Sequence, residues 1–168
     1  MPLAVTHVLL TIILLDIFRD YIIKKKKLIP LNYLFIGGVA GLLPDIDVPV
    51  FWLFNNVLSI KTAWFHGTYT HIFLIPIVLG VVAFFAYKYN KKTGVLLGVI
   101  AFGYFLHVLL DFLFYGTNLS PFWPLLNTAF TGFISHLNIK DFEIGLDAFI
   151  LLAWLWHEEV KHKIRDFI

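Results

Sequence analysis

Seven side chains of metal-ligand type punctuate a very apolar sequence: His7, Asp45, Asp47, His66, His71, His107 and Asp111. Imidazole and carboxylate together suit a zinc-like divalent ion, and carboxylate-rich sets suit the harder Mg or Mn. The sharpest pair is His107-Val-Leu-Leu-Asp111. On a helix this i,i+4 spacing puts both groups on one face, about 6 Å apart at Cβ. There they share one ion, bind two adjacent ions, or hydrogen-bond to each other between helices. Pro44-Asp45-Ile46-Asp47 follows Gly37, Gly38 and Gly41; those glycines allow a tight loop or close helix approach. Two carboxylates one residue apart chelate or bridge a cation, or stand in a solvated turn. His66-Gly67-Thr68-Tyr69-Thr70-His71 reads as a loop entering a helix, with Thr68 and Thr70 as candidate caps. A charged imidazole is disfavoured at a helix N-terminus, which favours neutral, ligating histidines over plain interfacial ones. His7 lies alone in an apolar run, where a satisfied interior residue is the commoner case, and its claim rests on its company.

The other polar groups have plainer readings. Asp16, Arg19 and Asp20 form an internal ion pair along one helix face. His157 and His162 flank Glu158 and Glu159, but the zinc-protease pattern needs the second His one residue earlier. They read as solvated, with the basic tail. His136 has no spaced partner. Glu143 and Asp147, again i,i+4, either complete the site or merely cap and pair.

The elements that must position these groups are helical. The chain has 168 residues, 60% hydrophobic and only 14% charged, with no cysteine; a soluble domain carries about 25% charge. An integral membrane protein fits better than a greasy soluble bundle, and thiolate metal sites and disulfides are excluded. The expected fold is all-α: a single domain over 1–168, a polytopic transmembrane bundle of about five apolar helices at 3–23, 30–43, 71–89, 94–115 and 142–158, the second short enough to be re-entrant. Pro44, Pro49, Gly67, Gly116, Pro121 and Pro124 mark the breaks. Residues 48–65, rich in Phe and Trp, read as a short helix lying at the interface or folded into the mouth of the bundle, and 116–140 as an irregular aromatic segment. The first apolar run has no basic residue ahead of it and reads as a retained helix rather than a cleaved signal.

Lysine and arginine set the orientation. With the N-terminus outside, Arg19, the lysines at 24–27, Lys88, Lys91, Lys92, Lys161, Lys163 and Arg165 fall inside, and only Lys61 and Lys140 outside. The positive-inside rule therefore puts the protein in the cell membrane as a multi-pass chain with a cytoplasmic C-terminus. The ligand candidates, which played no part in that count, all fall toward the outer side. A charged side chain within a bilayer costs on the order of 3 kcal/mol even on mild scales, so such a gathering points to function.

With Thr6-His7, the Gly-Leu-Leu-Pro-Asp-Ile-Asp run at 41–47, His-Gly-Thr-Tyr-Thr-His at 66–71, and His-Val-Leu-Leu-Asp at 107–111 followed by Gly116 and Pro-Phe-Trp-Pro at 121–124, the chain resembles the membrane-bound metal-dependent hydrolases, also described as LexA-binding, inner-membrane-associated hydrolases. The resemblance runs from residue 6 to about 124. Gly67 stands where that family usually has Arg or Lys. The ligand order His, Asp, His, His-x-x-x-Asp is also similar to that of zinc-dependent phospholipase C, with Glu143 and Asp147 in place of its later His-x-x-x-Glu pair. The resemblance implies a hydrolase.

The expected activity is metal-dependent hydrolysis of a phosphoester in a phospholipid or lipid-linked substrate at the outer face. Two or more ions, zinc first and Mn or Mg next, would be held by His7, Asp45, Asp47, His66, His71, His107 and Asp111, with Asp45, Asp47 or Asp111 taking a proton. The rivals are a metal-ion transporter or channel, since intramembrane His and Asp also line ion paths, and a membrane protein whose metal is structural. No nucleic-acid partner is expected. The lysine cluster is explained by topology, and also suits anionic lipid.

Overall fold

Proline, glycine and asparagine fix where the helices start and stop. The computed structural model describes residues 4–59, 66, 67, 69–114, 119–126, 128–133 and 140–162, and for 140–146 and 161–162 the helical backbone alone. Helix α1 (Ala4–Ile17) widens into π turns over Phe18–Ile23. Pro30 caps α2 (Leu31–Ala40) in extended geometry, and Pro44 opens a 3₁₀ turn, Pro44–Ile46, that runs into α3 (Asp47–Trp52) and further π turns at Leu53–Val57. A proline in a first turn removes only an N–H that had no helical partner. Helices α4 (Leu74–Tyr89) and α5 (Lys91–Phe114) form a hairpin broken by Asn90 alone. The Asn90 side chain accepts the Lys92 and Thr93 amides at 3.0 and 3.3 Å, capping α5. Helix α6 (Lys140–His162) packs on α1.

The largest interface is α4 with α5, and α2 fits between α1 and α5. Leu15, Ile29, Leu34 and Val99 form a buried core at the lysine-rich end. Helices α2 and α5 meet backbone to backbone. A Cβ on Gly103 would run into the Gly37 carbonyl oxygen, and one on Gly37 into Leu15 and Val99. This approach brings the next turn of each helix, Gly41 and His107, into register. Large apolar residues face outward on α2 (Leu31, Phe35), α4 (Phe84, Phe85) and α6 (Leu152, Trp156). Outward apolar faces of this kind suit helices that meet lipid.

The helices stand close to the five expected stretches, and among the described residues there is no strand beyond one bridge between Leu119 and Phe130. The number of spans is corrected. Only α5, 24 residues long and hence about 36 Å, is by itself long and apolar enough to cross a bilayer. Helix α2 and the Pro44–Val57 segment qualify together, bent by 50°, so the count is one or two rather than about five. The reasons are local. Regular α-geometry in the first helix ends at Ile17, just before Arg19 and Asp20. The third expected helix loses residues 71–73 to a turn that carries His71 inward. The segment expected as a helix over 48–65 is helical as far as Val57, and 60–65 lie outside the described residues.

Candidate metal centre

Four of the expected ligands converge. Nε2 of His71 and of His107 are 3.3 Å apart. His71 Nε2 lies 3.4 Å from Asp45 Oδ1 and 3.2 Å from Asp111 Oδ2, and His107 Nε2 lies 3.5 and 3.2 Å from the same oxygens. A tetrahedral ion with bonds of about 2.0–2.1 Å has ligand–ligand edges of about 3.3–3.4 Å. Five of the six edges of the Asp45–His71–His107–Asp111 set lie at 3.2–3.5 Å, around that length.

Each ligand is aimed by its own element. His107 and Asp111 occupy successive turns of α5. His107 Nδ1–H donates to the Gly41 carbonyl at 2.5 Å, which leaves Nε2 with its lone pair toward the cluster. His71 is oriented by a relay. The Thr70 hydroxyl donates to Asp47 Oδ2 at 2.6 Å and therefore accepts from His71 Nδ1–H at 2.9 Å. Tyr104 donates from α5 to the Thr70 carbonyl at 2.5 Å. Asp45 stands on the 3₁₀ turn that Pro44 begins.

His71, His107 and Asp111 are at most 1% exposed, whereas the Asp45 side chain is 22% exposed and forms the cluster's opening. Both oxygens of Asp111 and Oδ1 of Asp45 are buried without a hydrogen-bond partner. Buried polar atoms left so are costly; a cation among them would satisfy all three. Two carboxylates and two neutral imidazoles also match the charge of a divalent ion. In the turn ahead of α4, burial disfavours the His71 imidazolium. The hydrogen-bonding carboxylates of Asp111 and Asp45 outweigh it and hold the His71 pKa above its ordinary value.

His7 joins this cluster from α1. Its ring stacks on His107 with centroids 3.9 Å apart, and its Nε2 lies 3.6 Å from Asp111 Oδ1. Both its ring nitrogens are buried without a hydrogen-bond partner. Asp47 and His66 stand one layer out. His66 Nδ1–H donates to Asp47 Oδ1 at 2.8 Å, so both Asp47 oxygens hold protein donors. Asp47, His66 and His71 still form a second group with donor atoms within 4.8 Å.

The remaining calls divide. Asp147 accepts from the Thr6 hydroxyl, beside His7 but outside the cluster. His136 and the Glu143 side chain lie outside the described residues, as does Thr68. Thr70 does not cap α4, which has no side-chain cap; its hydroxyl serves His71. His157 is not solvated as expected: its Nδ1 lies 3.8 Å from Asp16 Oδ2 and 3.8 Å from Glu158 Oε1. Arg19 crosses to Asp16 at 2.5 Å and Asp20 at 2.8 Å, as the ion-pair reading expected, and Asp16, His157 and Glu158 form a third group of ligand type. Sequence reading missed the Gly41 carbonyl and Tyr104. Neither carries a spacing signal, because both act across long chain separations.

Thr70→Val removes both hydrogen bonds of the relay at nearly constant volume. It is expected to weaken divalent-ion affinity about 10–100-fold, with Thr70→Ser restoring most of it, as read by competition with a fluorescent chelator.

No curated protein and no solved structure matches the chain. A family model described as YdjM inner membrane protein matches residues 1–164.

Proposed function

The chain belongs to the YdjM inner membrane protein family, and within that membrane setting we propose a metal-dependent hydrolase acting on a phosphoester of a lipid or lipid-linked substrate. The convergence of Asp45, His71, His107 and Asp111, with the Asp45 side chain open to solvent, is the observation that carries this reading. The four would hold a zinc-like ion, with His7 stacked on His107 beside them as a further candidate ligand. Bound there, such ions supply Lewis acidity toward a phosphoryl oxygen and acidify a water near neutral pH.

The chain's own residues do the rest. Gly41, Thr70 and Asp47 fix the imidazole tautomers, so no reorganisation is needed on binding. His7, His71, His107 and Asp111 are buried, and Asp45 is the exposed member of the group. Asp45, the most exposed of the carboxylates, is placed to accept a proton from an incoming water and pass it to solvent. Helix α5 begins with Lys91 and Lys92 and carries the cluster near its other end. By the positive-inside rule that end faces outward, so substrate would be drawn from the outer leaflet.

A closed structural site is the second reading, favoured by the completeness of the four-ligand set: catalytic zinc keeps an open position. Metal analysis of the purified protein, coupled to a phosphoester and phospholipid screen, separates the two. Metal-dependent turnover supports the hydrolase; stoichiometric metal with no turnover supports the structural site.

Acid should weaken the metal. Above its raised pKa, His71 gives up its proton freely, and below it a metal must displace that proton. Apparent affinity is expected to fall by up to about tenfold per pH unit for each proton displaced, measured by calorimetry in buffers of different ionisation heat. An affinity independent of pH would contradict imidazole ligation.

A further inference from the structure

We propose that the groove between α1 and α5 is a binding site for an anionic phospholipid, one acyl chain in the groove and the headgroup on the lysines at 24–27. The groove encloses about 560 Å³, within the roughly 300–1,000 Å³ of ligand clefts. Its walls are apolar, with Leu14, Phe18 and Ile22 on one side and Phe102 on the other. Gly98 leaves it open: a Cβ there would meet nothing within 4 Å. Every other side chain lining the groove is apolar, so an aqueous solute has nothing to bond to.

The charge lies at one end. Ile22 and Ile23 line the groove just before the lysines, and Ile29 lines it just after. The chain turns at Lys24, held in left-handed geometry with its N–H bonded to the Arg19 carbonyl, and Lys26 lies 3.7 Å from Asp20. Lys25, Lys26 and Lys27, all exposed, line a shallow recess with Leu28. An apolar channel ending in a basic cradle matches a phospholipid that carries net negative charge at the membrane surface. The metal centre lies further along α5, past Phe102, so this site is independent of the hydrolase reading.

The test is native mass spectrometry of the detergent-purified protein, with phosphatidylglycerol or phosphatidylcholine of identical acyl chains added. Wild type is expected to retain phosphatidylglycerol in preference. That preference should fall about fivefold for each lysine neutralised in the series Lys25→Gln, Lys26→Gln and Lys27→Gln. Gly98→Leu fills the groove and should lower retention of both lipids. Gly98→Val, a smaller filling, serves in its place if the leucine variant fails to fold. Equal retention of the two lipids by wild type, or unchanged retention in a folded, filled variant, overturns the proposal.

Discussion

Asp111→Asn is expected to leave the purified protein without its divalent ion and without phosphoester turnover. The substitution keeps side-chain volume, so packing against His7, His71 and His107 survives. It removes the charge and one of the two oxygens that face those rings at 3.2–3.6 Å. An outer-shell change at a metal site costs about 10–100-fold in affinity, and a change to a residue that would hold the ion itself should cost more. Stability gives a second readout. A metal at 100 times its Kd stabilises the wild type by about 2.7 kcal/mol through mass action, and the variant should show no metal-dependent rise in Tm. If Asp111→Asn retains metal and turnover, Asp111 is a hydrogen-bonding residue and the site lies elsewhere.

The second large effect is expected from a residue with no side chain. Gly103→Ala puts a methyl group against the Gly37 carbonyl, and no flexible side chain is there to give way. Helices α2 and α5 must separate, at a cost of about 1–3 kcal/mol. Separation also pulls His107 off the Gly41 carbonyl, so metal affinity falls along with Tm. Gly80→Ala is the control: a Cβ there has open space, and alanine favours a helix over glycine by about 1 kcal/mol. Unfolding in detergent, followed by circular dichroism, should show the first variant destabilised and the second unchanged or stabilised.

The difference between these glycines explains what could be read from the sequence. The i,i+4 pair His107 and Asp111, and the Asp45 that follows a proline, carry their geometry in their spacing, and they meet as expected. The helix positions were equally legible, because prolines such as Pro44 interrupt apolar runs. What could not be read was how far each helix stays regular. The turn at residues 71–73 goes with a long-range contact, Thr70 with Asp47, and the π turns from Phe18 onward carry no spacing signal. Asp47 shows the same limit. Its sequence neighbour Asp45 faces the two imidazoles, while Asp47 holds His66 and Thr70 one layer out. Two residues of one type, two apart in sequence, are thus assigned different work by contacts that no local pattern records. His157 looked like part of a solvated basic tail because its partner, Asp16, is far away in the chain.

The central claim is that two imidazoles and two carboxylates surround one cation. Zinc-edge X-ray absorption of the purified, zinc-loaded protein tests it most directly. The account predicts a first shell of four N/O ligands near 2.0–2.1 Å with outer-shell scattering from two imidazole rings, lost in His107→Ala. Six oxygen ligands without imidazole scattering, or a protein that retains no zinc, would contradict it.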